Sequence, residues 1–185
     1  MKSLLYGLSL FALFFLSACE EESLGPNLLS YDGDNLSAPQ FIPGDYQMAA
    51  RFPLSELQRY QGQFLEEIEV YIQGRPARAR ILVYGEGTAN APGAELYSAD
   101  ITSELRRDQW NTHVLSTPIE ISNEELWLAV MVRHSNPMAS VGCDAGPAVA
   151  NGDLLMDDNG NWTDLRAFTN NAIDINWNIR GVLSE

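Results

Sequence analysis

Few side chains in this sequence of 185 residues are spaced to do chemistry. Two are thiols. Cys19 closes the run Leu16-Ser17-Ala18-Cys19 behind an apolar stretch, Leu4 to Phe15, that opens with the basic Lys2. That order is a secretory signal ending in a lipobox, with cleavage before Cys19 and a lipid on its thiol. The apolar stretch is shorter than the roughly 20 residues that span a bilayer, so the chain reads as anchored to a membrane through lipid. Cys143 is the second thiol. As a nucleophile it would need a base, and neither His113 nor His134 sits in a recognisable nucleophile or base context. A lone cysteine of this kind reads as a small buried apolar residue.

The acidic groups come next. Glu66, Glu67 and Glu69 contain a pair that could act in glycoside hydrolysis. Glu67 and Glu69, however, alternate with Ile68, Val70 and Ile72, which puts them on the solvated face of a strand. Asp32-Gly33-Asp34 has the form of a turn. Asp144 and Asp153 stand in a long loop, Ser135 to Gly152, that carries Gly142, Gly146, Pro147 and Gly152. Loops of that length in a compact domain usually have a function or lack order. The two carboxylates could accept backbone N–H groups and fix the loop. They could equally join backbone carbonyls around a calcium ion, which takes several oxygens at about 2.3–2.6 Å. Further on, Asn176, Asn178 and Arg180 lie on the strand face opposite Ile175, Trp177 and Ile179. They form either a solvated face or a ligand surface suited to sugars.

Short strands must position these groups. Alternation predicts strands at Tyr46–Phe52, Ile68–Ile72, Arg78–Tyr84, Ala94–Ile101, Trp110–Leu115 and Ile173–Val182. Leu126 to Val132 is apolar on both faces, so it belongs in the middle of a sheet covered on both sides. Asn159-Gly160 between Leu154–Met156 and Trp162 marks a hairpin. Pro53 to Leu57 predicts a short helical turn with proline near its start, and Ser103 to Asp108 predicts another. No apolar stripe of helical period persists beyond two turns. The fold class is therefore all-β: a two-sheet antiparallel β-sandwich, jelly-roll-like, with short helical turns.

Charge narrows the function. The only lysine, Lys2, leaves with the signal, so the mature chain sets ten arginines against 25 acids, a net of −15. Such a chain repels phosphate backbones, and nucleic acid is not an expected partner. No nucleotide loop, GxSxG, HExxH or metal-spaced Cys/His cluster is present, which argues against an enzyme.

The residues Trp110-Asn111-Thr112, Leu115 to Ile121, Glu125 to Val130, Asp144 to Asp153, Asn161-Trp162 and Ile175 to Gly181 together resemble a jelly-roll module related to cleaved-adhesin domains. Such modules accompany secreted proteases and surface adhesins of Gram-negative bacteria. The resemblance covers about Tyr46 to Leu183. It implies a sandwich with a binding role, and it matches Asp144-Ala145-Gly146-Pro147 and Gly152-Asp153 to typical acidic positions of the module. Related modules bind calcium, though their ligands do not map cleanly here. In bacteria with this family, acids after the lipidated cysteine, here Glu20 to Glu22, resemble a signal for export to the cell surface. The expected organisation is a signal at 1–18, an acidic Pro/Gly tether at 19–43 and a sandwich at 44–185. The expected function is a non-catalytic, outer-membrane lipoprotein that binds a glycan or a surface protein. The alternatives are a structural subunit of an envelope complex, and display on the periplasmic face.

Overall fold

The computed structural model describes residues 27–88 and 90–184. The signal, Cys19 and Glu20 to Glu22 lie outside the described residues. In chain order the elements are β1 (Leu28–Leu29), β2 (Gln40–Phe41), β3 (Gly44–Phe52), α1 (Leu54–Leu57), β4 (Phe64–Ile72), β5 (Arg78–Tyr84), β6 (Glu95–Asp100), β7 (Gln109–Glu120), β8 (Leu126–His134), β9 (Met138–Ala139), β10 (Leu154–Met156), β11 (Trp162–Asp164), α2 (Leu165–Phe168) and β12 (Ile179–Leu183). A four-stranded sheet runs β1-β12-β4-β7 and a six-stranded sheet runs β11-β10-β3-β8-β5-β6. A two-stranded ribbon pairs β2 with β9. All named pairings are antiparallel. The molecule is an all-β sandwich, as the alternation predicts.

Period-two patterning builds the interior. Ile68, Val70 and Ile72 of β4 face Met48, Ala50 and Phe52 of β3 and Leu128, Val130 and Val132 of β8 in one buried cluster. Each such side chain contributes about 1.5–3 kcal/mol through removal from water. The sheets pack tightly at Gly181, where a Cβ would sit 2.8 Å from methyl groups of Leu65 on the same sheet and Leu128 on the facing one. Strand β8 lies between β3 and β5 and is covered on both faces. Its outward Trp127 is fully buried with Ala49, Leu82 and Ala129, and Tyr84, Met131, Leu154 and Trp162 pack against them. That second apolar layer explains why Leu126 to Val132 reads as apolar throughout.

Three local expectations shift. The helical turn after Pro53 forms as α1, whereas 102–104 make a plain turn with no helix. The last strand begins at Ile179, because 173–178 contribute only an isolated bridge at Trp177. The sandwich also starts well before residue 44. Leu28 and Leu29 pair with Val182 and Gly181, Tyr31 stacks on Phe52 at 4.8 Å, and Leu36 and Ser37 donate N–H groups to the Cys143 carbonyl. Residues 27–43, expected as a tether with an edge strand near Leu28 to Tyr31, form that edge strand as β1 and continue as a strap on the domain. Leu29 and Phe41 enter the core, but they are too far apart in sequence to leave a periodic apolar pattern.

Candidate functional site

The strap decides what the predicted site residues do. Alternation does place Asn176, Asn178 and Arg180 opposite Trp177, which is buried in the core. The far face is not open, however, because residues 31–35 lie over it. Asn176 and Asn178 are 2% and 0% exposed, so neither forms a ligand surface. Asn178 Nδ2 donates to Asp32 Oδ2 at 2.7 Å and to the Gly33 carbonyl at 3.2 Å, while its Oδ1 has no protein partner. Arg180 Nε donates to both Asp32 oxygens, at 3.1 and 2.9 Å. Asp32 is thus a buried carboxylate held by a guanidinium and an amide, and it bolts the strap to the start of β12.

Asp144 does the same for the long loop. Its Oδ1 accepts from the backbone N–H of Gly146 and of Asn176, each at 2.8 Å. Its Oδ2 accepts from Asn176 Nδ2 at 2.9 Å and from Gly33 N at 3.2 Å. Asn176 in turn accepts from Val149 N and donates to the Pro147 carbonyl. Asp153 serves a different segment. It accepts from Arg166 N at 3.2 Å, with the Arg166 guanidinium 4.0 Å away, at the entrance to α2. Burial pushes its carboxyl above the usual range, ahead of any neighbouring charge.

These surroundings do not fit a calcium ion. Four N–H groups point at the Asp144 oxygens where a cation would sit, and Asp153 already faces a guanidinium. Among the described residues no group of three or more His, Cys, Asp or Glu side chains could hold a metal. Of the reactive groups, Cys143 is 1% exposed, with Ser37 Oγ at 3.4 Å from its sulfur. Burial pushes its thiol up, away from the reactive thiolate.

An open site lies at the other edge of the four-stranded sheet. Between β7 and residues 101–106 the sandwich gapes, leaving a cleft of about 270 Å³. Val70, Ile101 and Leu105 give it an apolar floor, and Glu104, Gln109 and His113 are polar lining groups. His113 projects inward because it is the register partner of core-facing Ile68. Its Nε2 lies 2.9 Å from Tyr97 Oη, which comes from β6 of the opposite sheet. Tyr97 Oη also accepts from Ser116 N, so its own proton is free for the imidazole. The remaining nitrogen, Nδ1, then faces Glu104 at 3.9 Å.

Trp110 joins the cleft to the outer face of the sheet. It lines the cleft and is also the register partner of Tyr71, whose ring meets it edge-on at 5.8 Å and 88°. The Arg180 guanidinium lies 4.1 Å over the indole. Glu69 is the register partner of both Arg180 and Thr112. Of the three residues expected as a ligand surface, Arg180 alone reaches this flank. Sequence reading missed Trp110, Tyr71, Tyr97 and His113 as a group. The available signal was an inward His beside an outward Trp on a strand preceded by a charged turn.

Fold and flank define a class: a small two-sheet β-sandwich with an open edge lined by aromatic and polar side chains. No protein-family model and no curated protein matches the chain. Among solved structures it is similar to Cwp84, a surface layer associated protein of Clostridium difficile. One similar chain comprises the cysteine protease and lectin-like domains of Cwp84, with a TM-score of 0.55 and 9% identity, covering 78% of this chain and 33% of that one. Another is a clostridial cysteine protease form of Cwp84 after propeptide cleavage, with a TM-score of 0.59 and 9% identity, covering 87% of this chain and 41% of that one. This chain therefore spans well under half of either. At such identity the likeness is one of β-rich fold alone.

Proposed function

We propose that this chain is a non-catalytic, lipid-anchored surface protein whose sandwich binds a neutral glycan along the β7 flank. The observation that carries the reading is the cleft of about 270 Å³ with Trp110 at its lip and Tyr71 beside it. An apolar floor with a few converging polar groups is the usual form of a small-ligand site. An indole at the rim offers a face on which a sugar ring can stack. The charges nearby are mixed, with Glu67 and Glu69 on the outer face and Glu104 in the cleft set against Arg106 in the lining and Arg180 over Trp110, so the flank offers an anionic sugar no net attraction.

Two further features support the reading. The cleft lining holds one carboxylate, Glu104, and no thiol, so the two-carboxylate chemistry of glycoside hydrolysis lacks its second member there. The lectin-like domain of the surface protein Cwp84 lends weight to a carbohydrate ligand.

A glycan array probed with residues 20–185 tests this, in calcium and in chelator. Saturable binding to a neutral glycan, unchanged by chelator and weakened roughly tenfold by Trp110→Ala, is the expected result. A blank array in both conditions, or binding indifferent to Trp110, would sink it.

A further inference from the structure

Three arginines cluster on the outer face of the six-stranded sheet. Arg78, Arg80 and Arg133 lie together on β5 and β8, with Arg78 and Arg133 as register partners. Two carboxylates face these three cations. Asp45 is taken by Arg133 through two bonds of 2.7 Å. Asp100, the cross-strand partner of Arg80, turns instead to Arg78 at 3.2 Å and to Thr102 N at 3.0 Å. Arg80 is left with one hydrogen bond, Nη2 to Ser98 Oγ at 2.7 Å, and makes no salt bridge among the described residues. Arg80 is therefore the one arginine of the three without a carboxylate of its own, although Asp158 beside Asp45 and Glu95 opposite Tyr84 border the patch.

An aromatic ring lies beside it. Tyr84 and Gln47 are two strands apart, yet Tyr84 Oη donates to Gln47 Oε1 at 2.9 Å. To reach it the ring must cross β8 over Ala129, whose small side chain leaves room. The phenol is thus laid along the sheet, half-buried and pinned at its far end, with Met131, the register partner of Arg80, on the same face.

We propose that the Arg80–Tyr84 face is a second binding site, for a carboxylate-bearing sugar such as a uronic acid. The free edge of the Arg80 guanidinium matches a carboxylate in a planar, two-bond geometry. The ring of Tyr84 gives the sugar a flat apolar support. Arg78 and Arg133 are held by Asp100 and Asp45, so the attraction for an anion rests on Arg80. The site is independent of the β7 flank, which lies on the other sheet.

The test is calorimetric titration of the folded chain with tri-galacturonate and, in parallel, a neutral galactose trimer. Arg80→Gln, Arg80→Lys and Trp110→Ala are compared with the parent, each checked for an unchanged melting temperature. Any heat from the neutral trimer should vanish in Trp110→Ala, while saturable binding of the acidic trimer, weakening as salt rises, is expected. Arg80→Gln should weaken it roughly tenfold to a hundredfold, and Arg80→Lys less. Trp110→Ala should leave it untouched, so failure here is distinct from failure at the β7 flank. No heat at millimolar acidic trimer, equal affinity for the neutral trimer in the Trp110→Ala chain, or indifference of the acidic trimer to Arg80→Gln would overturn the proposal.

Discussion

The polar cluster under the strap and the polar cluster on the β7 flank are made of similar residue types, and only one of them is open. Under the strap, Asp32, Asp144, Asn176 and Asn178 are all buried, and their donors and acceptors turn on one another. On the flank, Glu104 is largely exposed and His113 shows one nitrogen to a cleft. Arg180 belongs to both, gripping Asp32 on one side and lying over Trp110 on the other. The lesson is about what a carboxylate or amide is for. Buried and paired within the protein, it fixes loops that have no sheet hydrogen bonds of their own, Asn178 Oδ1 being the atom left over. Exposed with a free valence, it can meet a ligand.

The sharpest way to break this comparison is at Asp144. Asp144→Ala would strand four N–H donors in the interior, and we expect a loss of about 3–5 kcal/mol in urea unfolding. Adding calcium should not shift the midpoint of the parent chain. A loss under about 1 kcal/mol, or a calcium-dependent midpoint, would show that the network is not what holds the loop. Trp110→Ala is the counterpart on the flank. Its partly exposed indole should cost the fold about 1 kcal/mol or less, while neutral glycan affinity falls. Equal destabilisation by the two substitutions would erase the distinction between a closed and an open cluster.

Much of the architecture was legible because it rests on period-two alternation. Tyr46–Phe52, Ile68–Ile72, Arg78–Tyr84 and Leu126–Val132 all became strands near their expected bounds. Alternation also placed Trp177 in the core correctly. It could not show what would cover the opposite face, because the strap is 140 residues or more away in sequence and carries no strong pattern of its own. The same limit concealed the flank. His113 and Tyr97 meet only because the edge strands of two sheets approach each other, and edge-to-edge proximity leaves no periodic trace. The acids drew attention as candidate ligands, whereas what set their role was the number of N–H groups folded around them.

A third substitution sharpens the comparison through pH. His134 is 2% exposed, packed beside Phe41 and Tyr46, with Nε2 at 2.8 Å from Ser140 Oγ and Nδ1 unpartnered. Burial holds its imidazole below the ordinary histidine range. The folded chain therefore keeps His134 neutral at a pH where the unfolded chain has already bound a proton. His134 costs the fold nothing above the unfolded value near 6.5, and stability drains as pH falls from there toward the lower folded value. The expected slope is up to about 1.4 kcal/mol per pH unit. His134→Gln should flatten the unfolding free energy between about pH 6.5 and 5. Asp45 and Glu125 must be kept apart from this. Arg133 holds Asp45 below the ordinary carboxylate range despite some burial. Burial pushes Glu125 up, but donors from Trp127, Arg51 and Gly87 outweigh it and leave the carboxyl low. Their stabilisation is present above the unfolded carboxylate values and fades only at more acidic pH, so it falls outside the histidine window. If the variant keeps the parent's slope between about pH 6.5 and 5, the buried imidazole is not the group that titrates; Asp32 cannot stand in for it, because burial raises its carboxyl and a carboxyl raised on folding makes the fold more stable, not less, as pH falls.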